Sequence, residues 1–300
     1  MRAVATKDKE AGLGGLSLTE LPKPRPAEND VVVQVHAAGF LKGEPDWPST
    51  WTDRAGRDRT PSVLGHELSG VVVELGYGTT GLTIGQRVFG LTDWARNGTL
   101  AEYTAVEARN LAPLHADVDH VTAAAIVMPG LTAWQALFDH GRLQAGQTVL
   151  VHGAGGNVGS VGIQLAREAG AHVIGTGRKA DRDQAGTLGA HEFLDLDNER
   201  LEDVGEVDVV FDVIGGDILN RSVKLLRPGG TLVTAAEPPS IQPNDGRAIF
   251  FVVEPDRGQL TELATRVREG RLVPLVTAVR PLDEAVDAFT ERGRFVIGVI

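Results

Sequence analysis

The sequence predicts an α/β protein in two parts, a strand-rich first part followed by a doubly wound parallel sheet. Three observations predict it. A strand, glycine turn, helix and second strand follow one another from Gln147 to Lys179. From about residue 119 to 273 apolar strand runs alternate with amphipathic helices, whereas residues 1 to about 115 read as short strands separated by glycine turns.

The central stretch reads QTVLVHGAGGNVGSVGIQLAREAGAHVIGTGRK. Thr148 to Val151 supply a strand, and Gly153, Ala154, Gly155, Gly156 and Asn157 form a turn of small or turn-tolerant residues. Val158, Val161, Leu165 and Ala169 then recur at helical spacing, Gly170 stops the helix, and His172 to Thr176 form the next strand. Small residues let the backbone approach a pyrophosphate, and the first N–H groups and positive dipole end of the helix face that anion. Glycines alone would be weak evidence, but a strand before and a helix after them supply the context of a nucleotide site. The second strand runs out into Thr176, Gly177, Arg178 and Lys179. No acid awaits a ribose 2′-hydroxyl there and two cations await a 2′-phosphate, so the expected cofactor is NADPH. The competing reading of the pair is a solvated basic loop.

In the first part, Val31, Val33 and Val35 alternate with Val32, Gln34 and His36 as in a half-buried strand. Leu68 to Leu75 and Arg87 to Gly90 are further strands. Leu41 to Pro61, with three prolines and two tryptophans, reads as a long loop, in which Trp47 and Trp51 line a cleft or anchor the chain. In the second part a helix is expected near Arg182 to Gly189, strands at Glu192 to Leu196 and Val207 to Ile214, and a helix at Leu219 to Leu226. A turn at Pro228 to Gly230, a strand at Thr231 to Ala235, an apolar run at Phe250 to Val253 and a helix at Gln259 to Glu269 complete it. Asp283 to Ile300 gives a short helix and a closing strand that can return to the first part.

The composition, 42% apolar and 23% charged, is that of a globular protein. A formal charge of −11 opposes nucleic-acid binding. With no cysteine there is no disulfide, thiolate zinc site or cysteine nucleophile, which fits a reducing compartment. The first residues lack an apolar signal core, and no run approaches the roughly 20 apolar residues of a membrane span. A cytoplasmic protein with no membrane partner is therefore expected.

Three further stretches carry a resemblance: PSVLGHELSGVVVELG (Pro61 to Gly76), GQRVFGLTDWARNGTLAEY (Gly85 to Tyr103) and MPGLTAWQAL (Met128 to Leu137), with RGRFV (Arg292 to Val296) near the end. With the nucleotide unit, they make the chain resemble the medium-chain dehydrogenase/reductase superfamily, in its zinc-free quinone oxidoreductase branch. The resemblance implies a GroES-like β-barrel domain from residues 1–118 and 274–300, a Rossmann NADPH-binding domain from residues 119–273, a cleft joining them, and a homodimer that extends the Rossmann sheets. Zinc-dependent relatives have ligands at positions that correspond here to Leu41, His66 and Pro129, of which only His66 can coordinate. Catalytic zinc needs three protein ligands, so no metal is expected, and His66 is expected to hydrogen-bond within the barrel, with a role in the cleft as the alternative.

The implied activity is zinc-independent reduction, with NADPH, of a small electrophile: a quinone or an α,β-unsaturated carbonyl. The implied cofactor contacts are Thr132, Gly153 to Val158, Thr176, Gly177, Arg178 and Lys179, with Val213 and Ile214 beside the nicotinamide and Phe250, Phe251 and Val252 along its ribose. The substrate side is expected at Phe40, Leu41, Trp47 and Trp94. Lys42, Trp94 and Tyr103 are the candidate proton donors, and a packing role is the alternative for Tyr103. At Leu41 the branch commonly carries Asn, so a usual polar contact is missing. Two other readings suit part of the sequence. LLRPGG (Leu225 to Gly230) also suits a methyltransferase sheet, which leaves GHELSG, the strand-rich half and the basic pair unexplained; an NADPH-binding redox sensor or structural protein without catalysis is the other alternative, which nothing in the sequence excludes.

Overall fold

The computed structural model describes residues 1–300, which form two units: residues 1–127 with 255–269 and 275–300, and residues 128–254 with 270–274. The first contains β1 (Arg2–Thr6), β2 (Leu16–Glu20), β3 (Asp30–Gly39), a short helix α1 (Pro48–Trp51), β4 (Ser62–Val63), β5 (Glu67–Leu75), β6 (Arg87–Leu91), β7 (Tyr103–Glu107) and β8 (Leu111–Pro113). β3 organises it, pairing antiparallel with β5 and β7. Because β3 is covered on both faces, Val32 is as buried as Val31, Val33 and Val35, where the sequence alternation had suggested one solvent face. The stretch from Leu41 to Pro61 is more ordered than a plain loop. Its tryptophans divide the two expected roles: Trp51 is buried and donates Nε1–H to the Pro45 carbonyl at 2.8 Å, anchoring the segment, whereas Trp47 is half-buried.

α2 (His120–Trp134) leads into the second unit, and the helical run continues to His140. This run is long and apolar enough to cross a membrane, contrary to the sequence expectation, but 78% of its apolar window is buried inside the protein, as in a core helix. The unit then alternates β9 (Thr148–His152), α3 (Asn157–Glu168), β10 (His172–Gly177), α4 (Arg182–Thr187), β11 (Glu192–Asp195), β12 (Val207–Asp212), α5 (Gly216–Ser222), β13 (Leu226–Thr234) and β14 (Arg247–Phe250). All five strand pairings are parallel, in the order β11-β10-β9-β12-β13-β14. Chain order therefore reverses between β9 and β12, and the doubly wound sheet predicted from sequence is what forms.

Two boundaries differ from the sequence reading. Pro228 to Gly230 do not separate helix from strand: they lie within β13 as an irregularity, pairing resuming at Val209↔Thr231 after Val207↔Leu226. Of the apolar run at Phe250 to Val253 only the first residue lies in a strand, β14 ending at Phe250. α6 (Arg257–Arg268) groups with the first unit, tied there by Arg257, whose Nε donates to the Leu111 carbonyl at 2.7 Å. The chain closes with β15 (Ala278–Pro281), a short helix α7 (Ala285–Ala288) and β16 (Phe295–Gly298). β16 pairs antiparallel with β3, so the closing strand does return to the first part.

Candidate functional site

The glycine turn lies at the carboxyl end of β9, at the point where strand order reverses, which is where open α/β sheets bind ligands. Gly153 has φ +71°, a left-handed conformation, and a Cβ there would stand 2.8 Å from Val213. At Gly159 a Cβ would stand 2.2 Å from the Gly153 carbonyl, so only glycine lets the first turn of α3 close onto the β9 turn. α3 begins after Gly156 with no side chain capping its N–H groups. Those donors, beside an exposed Gly156 and half-buried Asn157 and Val158, fit the pyrophosphate of a dinucleotide. Ala154 is buried, and its N–H donates to the Thr176 carbonyl at 2.9 Å, fixing turn to strand.

Arg178 and Lys179 follow β10, exposed and in no ion pair. One acid escaped the sequence reading. Asp181 sits three residues beyond Arg178, accepts the Arg178 backbone N–H at 3.1 Å, and packs so closely on Gly155 that a Cβ there would be 2.3 Å from its Cγ. The strand end is thus basic in its side chains, with a carboxylate held against the turn. A search for an acid on the strand itself misses one brought back by a single helical turn.

Thr176 is a correction. It is fully buried, and its hydroxyl is 2.7 Å from His152 Nδ1, so it braces the strand end and does not face a ligand. His152 Nε2 lies 2.7 Å from Ser222 Oγ on α5. Sequence reasoning passed over this residue because a histidine in an apolar strand carries no motif. Across β12, Asp212 accepts the N–H groups of Ile214 and Gly215 and the Thr234 hydroxyl, holding the loop that carries Val213 and Ile214. Ile214 is 46% exposed there, as a ligand-facing residue can be, while Val213 packs on Gly153. At the end of β14 and just beyond it, Phe250 and Val252 are exposed, but Phe251 turns inward onto the His140 ring at 4.8 Å and is corrected to a packing residue. Thr132 is buried on α2.

In the first unit the expected substrate residues separate. Phe40 is corrected to core: it is buried against Phe289, ring centroids 4.2 Å apart. Leu41 is half-buried and Lys42 exposed. Tyr103 lines a groove of about 560 Å³ with Lys23, Arg25 and Arg59, its ring under the Lys23 ammonium, and neither Trp47 nor Trp94 shares that groove. Trp47 and Trp94 do come together, edge to face at 5.3 Å, and both lie against His66, at 5.8 and 4.8 Å. His66 is 3% exposed, and neither ring nitrogen makes a hydrogen bond, contrary to the bonded histidine expected. Behind it the buried Glu44 carboxylate accepts from Leu41 N–H at 2.8 Å and Gly65 N–H at 2.6 Å, and stands 3.4 Å from His66 Nδ1. Glu67, the neighbouring acid of the GHE motif, is engaged by Arg294 Nη2 at 2.6 and 2.7 Å. No three His, Cys, Asp or Glu side chains group closely enough to hold a metal ion.

Burial pushes the His152 imidazole down to about 4, against the opposing pull of Asp212, and pushes half-buried His120 down to about 4 as well, helped by His36 and Arg87. A histidine whose folded pKa is lowered holds fewer protons than in the unfolded chain, where about 6.5 is usual. Its stabilising contribution is complete above that value and is lost as pH falls toward 4, with a limiting slope of about 1.4 kcal/mol per pH unit for each group. Thermal unfolding should therefore move to lower temperature between pH 6.5 and 4.5, and His152→Gln should flatten part of that slope. An unfolding temperature independent of pH across this window would contradict the assignment.

Family models match two regions of the chain: alcohol dehydrogenase GroES-like domain over residues 27–116 and zinc-binding dehydrogenase over residues 188–292. A spectinabilin polyketide synthase system protein of Streptomyces orinoci is 39% identical over 177 residues, 57% of this chain but only 8% of that protein. The 2-methylene-furan-3-one reductase of Solanum lycopersicum is 31% identical over 292 residues, covering 89% of this chain and 70% of the reductase. The quinone oxidoreductase structure from Coxiella burnetii superposes with a TM-score of 0.89 at 26% identity, over 100% of this chain and 99% of the other.

Proposed function

Because the chain belongs to the medium-chain dehydrogenase/reductase superfamily, in its quinone oxidoreductase branch, we propose that it reduces quinones or α,β-unsaturated carbonyls with NADPH and without zinc. One observation carries the cofactor: an uncapped helix N-terminus at the sheet's reversal point, with two exposed, unpaired cations at the end of the next strand. The α3 N–H groups and the small residues of the turn hold the pyrophosphate, and Arg178 and Lys179 hold the 2′-phosphate. When bound, the nicotinamide supplies the hydride.

The acceptor class follows from the donor set. Leu41 and Pro129 cannot coordinate, and both Glu67 oxygens are taken by Arg294, so His66 has only the Glu44 carboxylate beside it, short of the three protein ligands that a catalytic zinc needs. A conjugated acceptor needs less polarisation, since hydride at its far carbon leaves a delocalised enolate or hydroquinone anion. The tomato relative is named for reduction of such a conjugated ketone, which supports this reading. The outer edge of β14 is unpaired, and a second copy extending the sheet there completes the proposal as a homodimer.

The test is loss of NADPH absorbance with benzoquinone, cyclohexenone and hexanal, each with and without added Zn²⁺. Turnover of benzoquinone or cyclohexenone, little of hexanal and no response to zinc is the expected result. Zinc-dependent turnover of hexanal would overturn the acceptor class, and tight NADPH binding with no turnover would favour a cofactor-binding sensor.

A further inference from the structure

The groove of about 560 Å³ beside Tyr103 takes no part in the reductase reading, and every residue that lines it belongs to the first unit. Its charge runs against that of the chain. The protein carries a formal −11, yet the groove is lined by Lys23, Arg25, Arg59 and Arg96 with a single acid, Asp53. Two of those five charges are already matched: Arg96 is closed by Asp30 at 2.5 Å and Glu107 at 3.0 Å, and the Asp53 carboxylate is taken by Arg57 at 2.7 Å. Lys23, Arg25 and Arg59 are left. Lys23 comes no nearer than 4.0 Å to Glu74, both side chains being half-exposed, and Arg25 is exposed with no ion pair. Arg59 is half-buried and also lacks a carboxylate: its Nη1 donates to the Ser49 and Trp94 carbonyls, and its Nη2 has no partner. Burial pulls this guanidinium below the usual arginine range, an effect that an anion in the groove would oppose.

The chain also limits how far these cations can stray. Lys23 and Arg25 each precede a proline, which holds their backbone extended, so both stay at the groove with little backbone freedom to lose on binding. The Lys23 ammonium lies 4.7 Å over the Tyr103 ring. The Tyr103 hydroxyl accepts from Gln34 Nε2 at 3.4 Å, which leaves its own proton for a ligand oxygen. We propose that the groove binds a phosphate monoester, its phosphate held by Lys23, Arg25, Arg59 and the Tyr103 hydroxyl, its organic part lying against Pro61, Val63 and Ala101. A monoester dianion answers three unneutralised cations better than one carboxylate does, and guanidinium forks match phosphate oxygens. The groove is larger than inorganic phosphate fills and has the size of a site for a small organic ligand. This site does not depend on the reductase reading, since the glycine turn belongs to the second unit.

The experiment follows the amide resonances of Thr104 and Ala105, which line the groove, while phenyl phosphate, inorganic phosphate and benzoate are titrated into the ¹⁵N-labelled protein. Low salt limits screening, and at about pH 8 the monoester is a dianion. Phenyl phosphate is expected to move these resonances and to bind most tightly of the three. Lys23→Ala combined with Arg25→Ala, exposed changes with little effect on folding, should weaken it about 10-fold. Arg59→Met should weaken it by a similar factor; because Arg59 also holds two main-chain carbonyls, the exposed double variant decides the matter if Arg59→Met unfolds. The Arg178→Ala, Lys179→Ala variant should bind phenyl phosphate as wild type does. Unmoved groove resonances, or wild-type affinity in the Lys23→Ala, Arg25→Ala variant, would overturn the proposal. So would equal affinity for inorganic and phenyl phosphate, which would mean an adventitious ion only, or tighter binding of benzoate. Affinity lost only in the Arg178→Ala, Lys179→Ala variant would put the anion at the glycine turn and overturn it as well.

Discussion

Replacing Arg294 by Met should be among the most destabilising single changes in the first unit. Arg294 is 4% exposed and Glu67 fully buried, and the guanidinium closes on both carboxylate oxygens at 2.6 and 2.7 Å. The same side chain donates to the Phe40 carbonyl at 3.3 Å, so it ties the stretch before β16 to the ends of β3 and β5. Gly39 makes room for the pair, because a Cβ there would stand 2.2 Å from Glu67 Oε2. Removing one partner strands a buried charge, which typically costs about 3–5 kcal/mol. At about 2–4 °C per kcal/mol for a domain of this size, thermal unfolding should fall by about 6–20 °C. Glu67→Gln combined with Arg294→Met should recover part of that loss, since no unpaired charge is then left. A single variant that unfolds within about 2 °C of wild type would show that the pair does not hold the barrel.

The nucleotide unit was legible because its information is local. One glycine turn, one helical period and two apolar runs within a short stretch specify β9, α3 and β10, and their observed limits fall within a residue of those expected. The parallel order of the sheet follows from that alternation. What stayed hidden is what distant pairing brings together. His66 opens the β5 region, Glu44 and Trp47 lie in the connection after β3, and Trp94 follows β6; only the pairing of β3, β5 and β6 makes them one cluster. For the same reason Thr176, read as a cofactor contact, is a brace to His152, and Phe40, read as a cleft residue, packs on Phe289 near the far end of the chain. Apolar or hydroxyl side chains at a strand end look alike in sequence whether they turn to a ligand or to the core.

The basic pair after β10 carries the cofactor assignment, and its effect should be large. A charge-assisted hydrogen bond to a phosphate is worth about 1.5–3 kcal/mol, so loss of even one contact weakens NADPH by about 10- to 150-fold. NADH has no 2′-phosphate for the pair to hold. The sheet reversal, the uncapped α3 terminus and the packed Gly153 and Gly159 remain for both cofactors. Asp181 makes the prediction sharper: with the cations gone, a carboxylate held against the turn is left to disfavour a 2′-phosphate and to accept from a ribose hydroxyl. The decisive measurement is the dissociation constants of NADPH and NADH for wild type and for the Arg178→Ala, Lys179→Ala double variant, by titration at low salt. The account predicts that wild type prefers NADPH and that the double variant loses about 10-fold or more in NADPH affinity with NADH nearly unchanged. Equal losses for both cofactors, or a wild type that prefers NADH, would contradict it.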